Sequence, residues 1–157
     1  MTESSSFTTS SVLKIVSNLG LPHEVIEIDP DMADTALFCE HYGFLMEQSG
    51  NTIIVASKKE PKVFVACVVL ATTRLDVNKR VRKLMDVSKA SFASAEEMKV
   101  LTGMEVGGVT PFSLPEGVQL YVDSRIMELD WVILGGGGRD CKIKISPEVF
   151  YQLGAEI

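Results

Sequence analysis

The stretch NTIIVASKKEPKVFVACVVLA, residues 51–71, holds two runs of β-branched and apolar residues separated by a short polar segment. Residues 51–57 and 62–71 each have the length and composition of a β-strand, and the KKEP segment between them is typical of a hairpin connection. The second run is apolar at successive positions, which predicts that both of its faces are buried. We therefore expect this second strand to lie in the middle of a covered sheet.

The patterns on either side predict the remaining elements. Four or five helices are expected at 11–20, 31–43, 76–85, 94–103 and 146–154, and all but the third end at a glycine. Their predicted N-terminal caps are Ser10 or Ser11, Asp31 or Asp34, Asp76, Ser94 and Ser146. Further strands are expected at 23–28, 117–123, 130–135 and 141–146. Strands and helices do not alternate strictly, so the fold class is α/β of the α+β type, with a mixed sheet. Residues 1–9 are interpreted as a disordered polar lead-in, and residues 10–157 as one domain.

Composition narrows the class of protein. A chain of 157 residues with 46% hydrophobic and 23% charged residues is typical of one globular domain. No apolar run reaches the roughly 20 residues that span a bilayer, and the N-terminus lacks a secretory pattern. The widely spaced Cys39, Cys67 and Cys141 indicate buried, reduced thiols. We expect a cytoplasmic protein that does not bind membranes.

The net charge of −6 argues against non-specific coating of nucleic acid, but it allows a local basic surface. Six cations and two acids lie between Arg74 and Lys89. On the predicted helix that starts after Asp76, the apolar stripe turns four cations outward, Lys79, Arg80, Arg82 and Lys83. Two interpretations remain open, a solvated helix face and a surface for an anionic partner.

The loop GMEVGGVTPFSLP, residues 103–115, combines a glycine pair with a proline. Glycine allows positive φ and close approach of a ligand to the main chain, and proline stiffens the end of the turn. Such a loop can direct backbone N–H groups at an anionic oxygen, as an oxyanion hole requires. An ordinary Gly-Pro turn between two elements explains the same residues.

Other candidate sites have simpler explanations. His23 and His41 lack further ligands at metal spacing, so we expect no metal site and no cofactor. A Cys39–His41 nucleophilic pair is excluded because side chains at i and i+2 on a helix point apart. The GGGGRD segment, residues 135–140, lacks the phosphate-loop pattern and precedes a strand, which favours a glycine-rich hairpin. Trp131 is expected to anchor the core.

Several motifs in a fixed order resemble the YbaK family, the editing domain that is also inserted in bacterial prolyl-tRNA synthetase. These motifs are NTIIVA, VVLATTRLDVNK, TGMEVGGVTP and LGGGGRDCKIKISPEV, and the resemblance extends over the chain from about Ser10. It implies a mixed, partly closed six- or seven-stranded β-sheet packed with helices. The implied activity is trans-editing: hydrolysis of the ester that joins a wrong amino acid to the terminal adenosine of tRNA, typically alanine or cysteine on the tRNA for proline.

The resemblance also implies roles for individual residues. The G-x-x-x-P loop, Gly107 to Pro111, holds the aminoacyl group, and the N–H groups of Gly107 and Gly108 stabilise the oxyanion. Its other members, Val109, Thr110 and Pro111, contact substrate together with Thr52, Gly136 and Arg139. The four cations Lys79, Arg80, Arg82 and Lys83 become tRNA-binding candidates. Aminoacyl-tRNA is the expected partner, and an aminoacyl-tRNA synthetase is a second one.

Asn51 stands where many members of the family carry a lysine, and Ile28 lies near a position where some carry a tyrosine. An amide stabilises an anion less strongly than an ammonium does, although it can donate two hydrogen bonds. Asn51 is therefore either a catalytic pocket residue or a turn residue after Gly50. Three functions remain open: an aminoacyl-tRNA deacylase, an inactive member that binds tRNA or a synthetase, and a hydrolase of a small free ester or amide.

Overall fold

The computed structural model describes residues 11–104 and 109–157. Its helices are α1 (11–18), α2 (Thr35–Tyr42), α3 (Arg82–Met85), α4 (Ala95–Thr102) and α5 (Val149–Gln152). Its strands are β1 (His23–Glu27), β2 (Gly50–Ser57), β3 (Phe64–Leu70), β4 (Ala90–Phe92), β5 (Gln119–Val122), β6 (Val132–Gly135) and β7 (Cys141–Ile145). The predicted lead-in and the glycine pair of the 103–115 loop lie outside the described residues.

The strands form two sheets. One has the order β1-β7-β6, and both of its pairings are antiparallel. The other has the order β4-β2-β3-β5, in which β3 and β5 are parallel and the remaining pairs antiparallel. A parallel bridge between Ser49 and Ile133 links the start of β2 to β6. The mixed architecture packed with helices is confirmed, with the strands divided between two sheets.

Period-two alternation assigns the two faces of each sheet to different hydrophobic clusters. Along β3, Ala66 and Val68 enter the main core between the sheets, while Val65 and Cys67 pack against the 77–81 segment. Along β6, Val132 and Leu134 likewise enter the main core. Ile133, by contrast, packs with Phe38 of α2 on the opposite face. Both sheets are therefore covered on both sides, as the apolar hairpin predicted.

The helix ends follow their predicted caps. The Asp34 carboxylate accepts from the N–H of Ala36 at 3.1 Å, and Gly43 ends α2 at φ 78°. Ser94 and Glu97 form the capping box of α4. Asp76 caps the third helical segment, whose first turn, Val77–Val81, is a π-helix that continues into α3.

The three cysteines are buried and free, as predicted, and burial raises the pKa of the Cys67 thiol to about 12. Within residues 11–104 and 109–157, no helix is both long and apolar enough to cross a membrane.

Candidate active site

A cavity of about 570 Å³ opens where the two sheets meet the start of α2. This volume lies within the range of about 300–1,000 Å³ that is common for small-molecule sites. Four of the residues predicted from the sequence line the cavity, although they are far apart in the chain: Asn51, Thr52, Val109 and Arg139. The floor and walls also include Gly135 and Lys142, and the start of α2 contributes Asp34, Thr35 and Ala36.

Strand register explains how Asn51 and Lys142 come together. Ser49 bridges Ile133, and Ile133 pairs with Lys144 across β6 and β7. Ser49, Ile133 and Lys144 thus form one row across the three strands. The next row on the same face, two residues further along each strand, consists of Asn51, Gly135 and Lys142, and Gly135 pairs with Lys142. Side chains two residues apart on a strand share a face, so this second row also faces α2.

Gly135, in the middle of the row, carries no side chain. The gap leaves open space between Asn51 on one side and Lys142 on the other, over a lateral distance of about 10 Å for two strand spacings. The cavity occupies this space. The glycine therefore has a positional role that the sequence pattern alone, a run of four glycines, does not distinguish.

Asn51 is held by α2. The Thr35 hydroxyl donates to Asn51 Oδ1 at 2.6 Å, and both side chains are partly buried at the cavity wall. This bond fixes the rotation of the amide, so that its Nδ2 donors point away from Thr35. Asn51 is thus a positioned hydrogen-bonding group in the cavity.

Lys142 supplies a buried cation to the same cavity. The residue is only 6% exposed, and its Nζ lies 5.6 Å from the centroid of the Phe38 ring, on the α2 side of the sheet. Burial lowers the pKa of Lys142 from 10.5 to about 8, while the charge of Asp34 opposes that shift. At neutral pH the ammonium is still mainly protonated.

Arg139 lies on the turn between β6 and β7 and lines the cavity. Its Nη2 donates to the carbonyl oxygen of Pro30 at 2.9 Å, which ties this turn to the segment before α2. Since a guanidinium has five N–H donors, this bond is compatible with further contacts on the cavity side.

The other walls are mostly apolar. Met46, Ile53, Met98 and Val109 contribute to them, and Phe92, which is 57% exposed, lies at the cavity wall. The Oγ1 atom of Thr52 is buried and has no hydrogen-bond partner among the described residues. A buried hydroxyl without a partner costs about 1–3 kcal/mol, so a polar ligand group that pairs with it binds more favourably.

The glycine-proline loop is described in part. Val109 lines the cavity, whereas Gly107 and Gly108 lie outside the described residues, and their role as an oxyanion hole stays a prediction. Thr110 is fully buried, and its Oγ1 accepts from the N–H of Phe112 at 3.4 Å. Pro111 begins the following 3-10 turn and borders a separate depression. Neither Thr110 nor Pro111 lines the 570 Å³ cavity.

Gly136 follows the cavity residue Gly135 but packs inward. A Cβ atom at this position would lie 2.2 Å from Cys141 Sγ and 2.9 Å from the Cys141 carbonyl oxygen. The close packing of the turn against β7 is a sufficient reason for glycine here. Gly136 is not among the residues that line the cavity, and its contact with substrate stays a prediction.

The four predicted tRNA-binding cations differ in their surroundings. Lys79, Arg80 and Lys83 are exposed, as the helical stripe predicted. Arg82 is partly buried, and its guanidinium donates to the carbonyl oxygens of Asn78, at 2.9 Å, and Val87, at 3.4 Å. These bonds to the main chain give Arg82 a structural role in this segment.

Arg80 also lines a second cavity, of about 630 Å³, together with Arg74, Tyr121 and Arg125. It is slightly larger than the first, but it contains none of the predicted catalytic or substrate residues. Among the described residues, no group of three or more His, Cys, Asp or Glu side chains is arranged to hold a metal ion.

The sequence interpretation missed Lys142, Thr35 and Phe92 as cavity residues. Lysines alternate with apolar residues in CKIKI, a pattern typical of a strand with one solvated face. Lys144 follows that pattern in part, since it is half-buried with its Nζ 4.3 Å from the Trp131 ring. Lys142 does not follow this pattern: it is buried, because α2 covers the part of β7 where it lies.

Comparison with solved structures supports the fold. The solved structure of the protein APE2540 superposes with a TM-score of 0.82 at 26% identity, over 92% of this chain and 95% of that one. A candidate trans-editing enzyme for prolyl tRNA synthetase superposes with a TM-score of 0.73 at 21% identity, over 85% of this chain and 83% of that one. The second likeness, at its low identity, concerns the fold alone.

The sequence comparisons lead to the family. The uncharacterised protein YwhH of Bacillus subtilis (strain 168) is 24% identical over 126 residues, which are 80% of this chain and 78% of YwhH. The sequence profile of the aminoacyl-tRNA editing domain matches residues 29–153. That range contains every described residue of the cavity. The chain therefore belongs to the aminoacyl-tRNA editing domain family, as its resemblance to YbaK indicated.

Proposed function

We propose that this protein is a trans-editing deacylase, which hydrolyses the ester between an amino acid and the 3′-terminal adenosine of a mischarged tRNA. The observation that supports this most is the cavity itself. It gathers a positioned amide, a buried hydroxyl with no partner among the described residues and a buried cation around space for a small ligand. The chemistry of this site, and not the fold alone, is the basis of the proposal.

In the proposed reaction, a water oxygen forms a bond to the ester carbonyl carbon, and the carbonyl π electrons move to its oxygen. Main-chain N–H groups of Gly107 and Gly108 stabilise this oxyanion; loss of one such donor typically costs about 100- to 1,000-fold in rate. The intermediate then expels the ribose oxygen. That oxygen receives the proton released by the water, with the neighbouring ribose hydroxyl as the relay.

Apolar cavity walls give the site a means of selection. Met46, Ile53, Met98 and Val109 surround the space with side chains that accept a small apolar group and offer no partner to a charged one. One methylene too many or too few in such a pocket changes discrimination by only about 10- to 200-fold. We propose that the substrate is a tRNA bearing a small amino acid.

Hydrolysis of a panel of misacylated tRNAs tests the proposal directly. Release of amino acid is expected from at least one tRNA charged with a small wrong residue, and free aminoacyl esters should be poorer substrates. If none of the tRNAs is hydrolysed, the proposal is contradicted. Equal turnover of a small ester, without competition by tRNA, would instead favour a metabolite hydrolase.

The neutral side chain of Asn51 favours a second candidate, an inactive member that binds tRNA or a synthetase. Its amide is bonded to Thr35 and carries no charge. If Asn51→Lys gains deacylation that the natural chain lacks, the inactive member is the correct interpretation. We further propose that the protein acts in the cytoplasm. The partner of the deacylase is aminoacyl-tRNA, and the partner of the inactive member is tRNA or an aminoacyl-tRNA synthetase.

A further inference from the structure

We infer that the ammonium group of Lys142, on β7, contacts the developing oxyanion of the ester. This inference rests on the proposed deacylation and assigns a catalytic residue to it. It begins with the row Asn51–Gly135–Lys142, which spans three neighbouring strands on the face toward α2.

The position of Lys142 in its sheet supports this role. Lys142 is on the central strand of its sheet, between Ile26 of β1 and Gly135 of β6, and it is 6% exposed. A lysine at such a site in a purely structural role is costly, because burial removes its ammonium from water. The neighbouring Gly135 leaves the cavity side of this lysine open to a ligand.

Most of the titratable groups around the ammonium favour its charged form. Asp34, which caps α2, Cys39 of α2 and Cys141 of β7 favour its protonated form, while Arg139 of the adjoining turn disfavours it. Asp34 is exposed, and its carboxylate also accepts a hydrogen bond from the first turn of α2, so it interacts with the helix N-terminus as well as with Lys142. A partly desolvated ammonium acts on an anion more strongly than one in water does.

The three polar groups then have separate tasks. The Asn51 amide, oriented by Thr35, donates to the substrate, and the Thr52 hydroxyl pairs with a polar substrate atom. Lys142 provides a positive charge that stabilises the negative oxygen in the transition state. No proton leaves Lys142 in this step, because its ammonium donates a hydrogen bond and remains protonated.

Two adenosine analogues distinguish this role from a structural one. In the first, a negatively charged phosphonate replaces the ester carbonyl and imitates the tetrahedral intermediate. In the second, a neutral amide replaces the ester and imitates the ground state. A group that acts on the oxyanion increases affinity for the phosphonate selectively, since catalysis depends on tighter binding of the transition state.

We expect Lys142→Met to weaken phosphonate binding by about 100-fold while amide binding changes less than about threefold. Methionine is unbranched and only one atom shorter than lysine, and it removes a buried charge, so the variant is expected to fold; thermal unfolding checks this. Lys142→Arg should recover part of the phosphonate affinity. Lys144→Met is the matched control, two residues along the same strand and face, and should behave as the natural chain does.

The pH dependence gives an independent readout. In the natural chain, phosphonate affinity should fall as pH rises through about 8, the pKa of Lys142. Phosphonate affinity should not fall in this pH range for Lys142→Met. For Lys142→Arg, the fall should occur at a much higher pH. Equal losses for both analogues, or an unchanged pH profile in Lys142→Met, would overturn the assignment.

Deacylation assays separate this inference from the proposed function. Turnover by the natural chain with no change in kcat for Lys142→Met would overturn the role of Lys142 and leave the deacylase standing. Selective phosphonate binding without turnover of any tRNA would support the anion contact and contradict the deacylase.

Discussion

At the residue scale, the contact between Thr35 and Asn51 links the start of α2 to the cavity. The bond is short, 2.6 Å between oxygens, and it joins residues 16 positions apart. It decides which atoms of the amide face the ligand. The resemblance placed Asn51 in the pocket by its position in a motif, but nothing in the sequence paired it with Thr35.

Thr35→Val should therefore lower kcat/KM for deacylation by about 10-fold, because the freed amide no longer holds one orientation. Stability should fall by about 1 kcal/mol, the usual net value of one hydrogen bond. Thr73→Val is the control: Thr73 donates a comparable bond, to the Leu70 carbonyl at 2.8 Å, outside the cavity. Equal kcat/KM for Thr35→Val and the natural chain would show that Thr35 does not position Asn51.

Lys142 also predicts a dependence of stability on pH. Its pKa is lower in the folded chain, about 8, than the ordinary value of 10.5, so the folded state binds the proton less tightly than the unfolded state does. Below pH 8 both states are protonated and the chain carries the full cost of the buried charge. That cost, on the order of 3 kcal/mol, is relieved as pH rises from 8 to 10.5.

The free energy of unfolding of the natural chain should thus rise relative to that of Lys142→Met across this interval. Chemical denaturation of both proteins at several pH values measures the difference. Cys67, whose raised pKa makes stability fall above pH 9, contributes equally to both proteins and cancels. Parallel stability curves would contradict the burial of the Lys142 charge.

At the element scale, the turn between β6 and β7 shapes the cavity through two glycines with different tasks. Gly135 leaves space beside Lys142, whereas Gly136 lies against Cys141. The sequence favoured a glycine-rich hairpin here, and β6 and β7 do pair antiparallel on either side of it. The separate roles of adjacent glycines depend on contacts between strands, which no local pattern encodes.

Gly136→Ala should destabilise the protein by about 2 kcal/mol or more, because the added Cβ meets both the Sγ and the main chain of Cys141. Cys141→Ala should rescue part of the loss by removing Sγ. Gly50→Ala is the comparison, since its Cβ meets the end of the flexible Leu134 side chain at 2.9 Å and should cost less. Thermal unfolding is measured for the three single variants and for Gly136→Ala combined with Cys141→Ala. An unchanged stability of Gly136→Ala would refute the packing explanation.

Some other elements could be predicted from the sequence and some could not. The caps at Asp34, Asp76 and Ser94 were predictable because each side chain bonds its own helix. Strand β4, Ala90–Phe92, was missed because it has three residues and runs directly into the capping box. The division of the strands into two sheets was likewise not predictable, since pairing across the chain is set by tertiary packing.

At the scale of the whole molecule, the charge of −6 coexists with an exposed basic group on one helical segment, Lys79, Arg80 and Lys83. We propose that this group binds tRNA phosphates. Removing the cation that binds one phosphate lowers the slope of log affinity against log salt by about 0.7–0.9. Arg82 is left out of the group because it bonds its own main chain.

Changing these three residues to glutamine should raise KM for tRNA and reduce its salt dependence, with kcat nearly unchanged. A matched variant that neutralises exposed Lys14, Lys58 and Lys59 makes the same change in net charge elsewhere on the surface. Deacylation assays at several salt concentrations compare the two variants. The same small effect from both would mean that the basic group is only a solvated surface.

A structure of the protein bound to the amide-linked aminoacyl-adenosine analogue is the most direct test of the proposed site. We predict that the amide carbonyl lies in the 570 Å³ cavity, between Asn51 and Lys142 and above Gly135, with the amino-acid side chain against Met46 and Val109. An analogue bound in the cavity beside Arg74 and Arg80, with the Asn51 cavity empty, would contradict it.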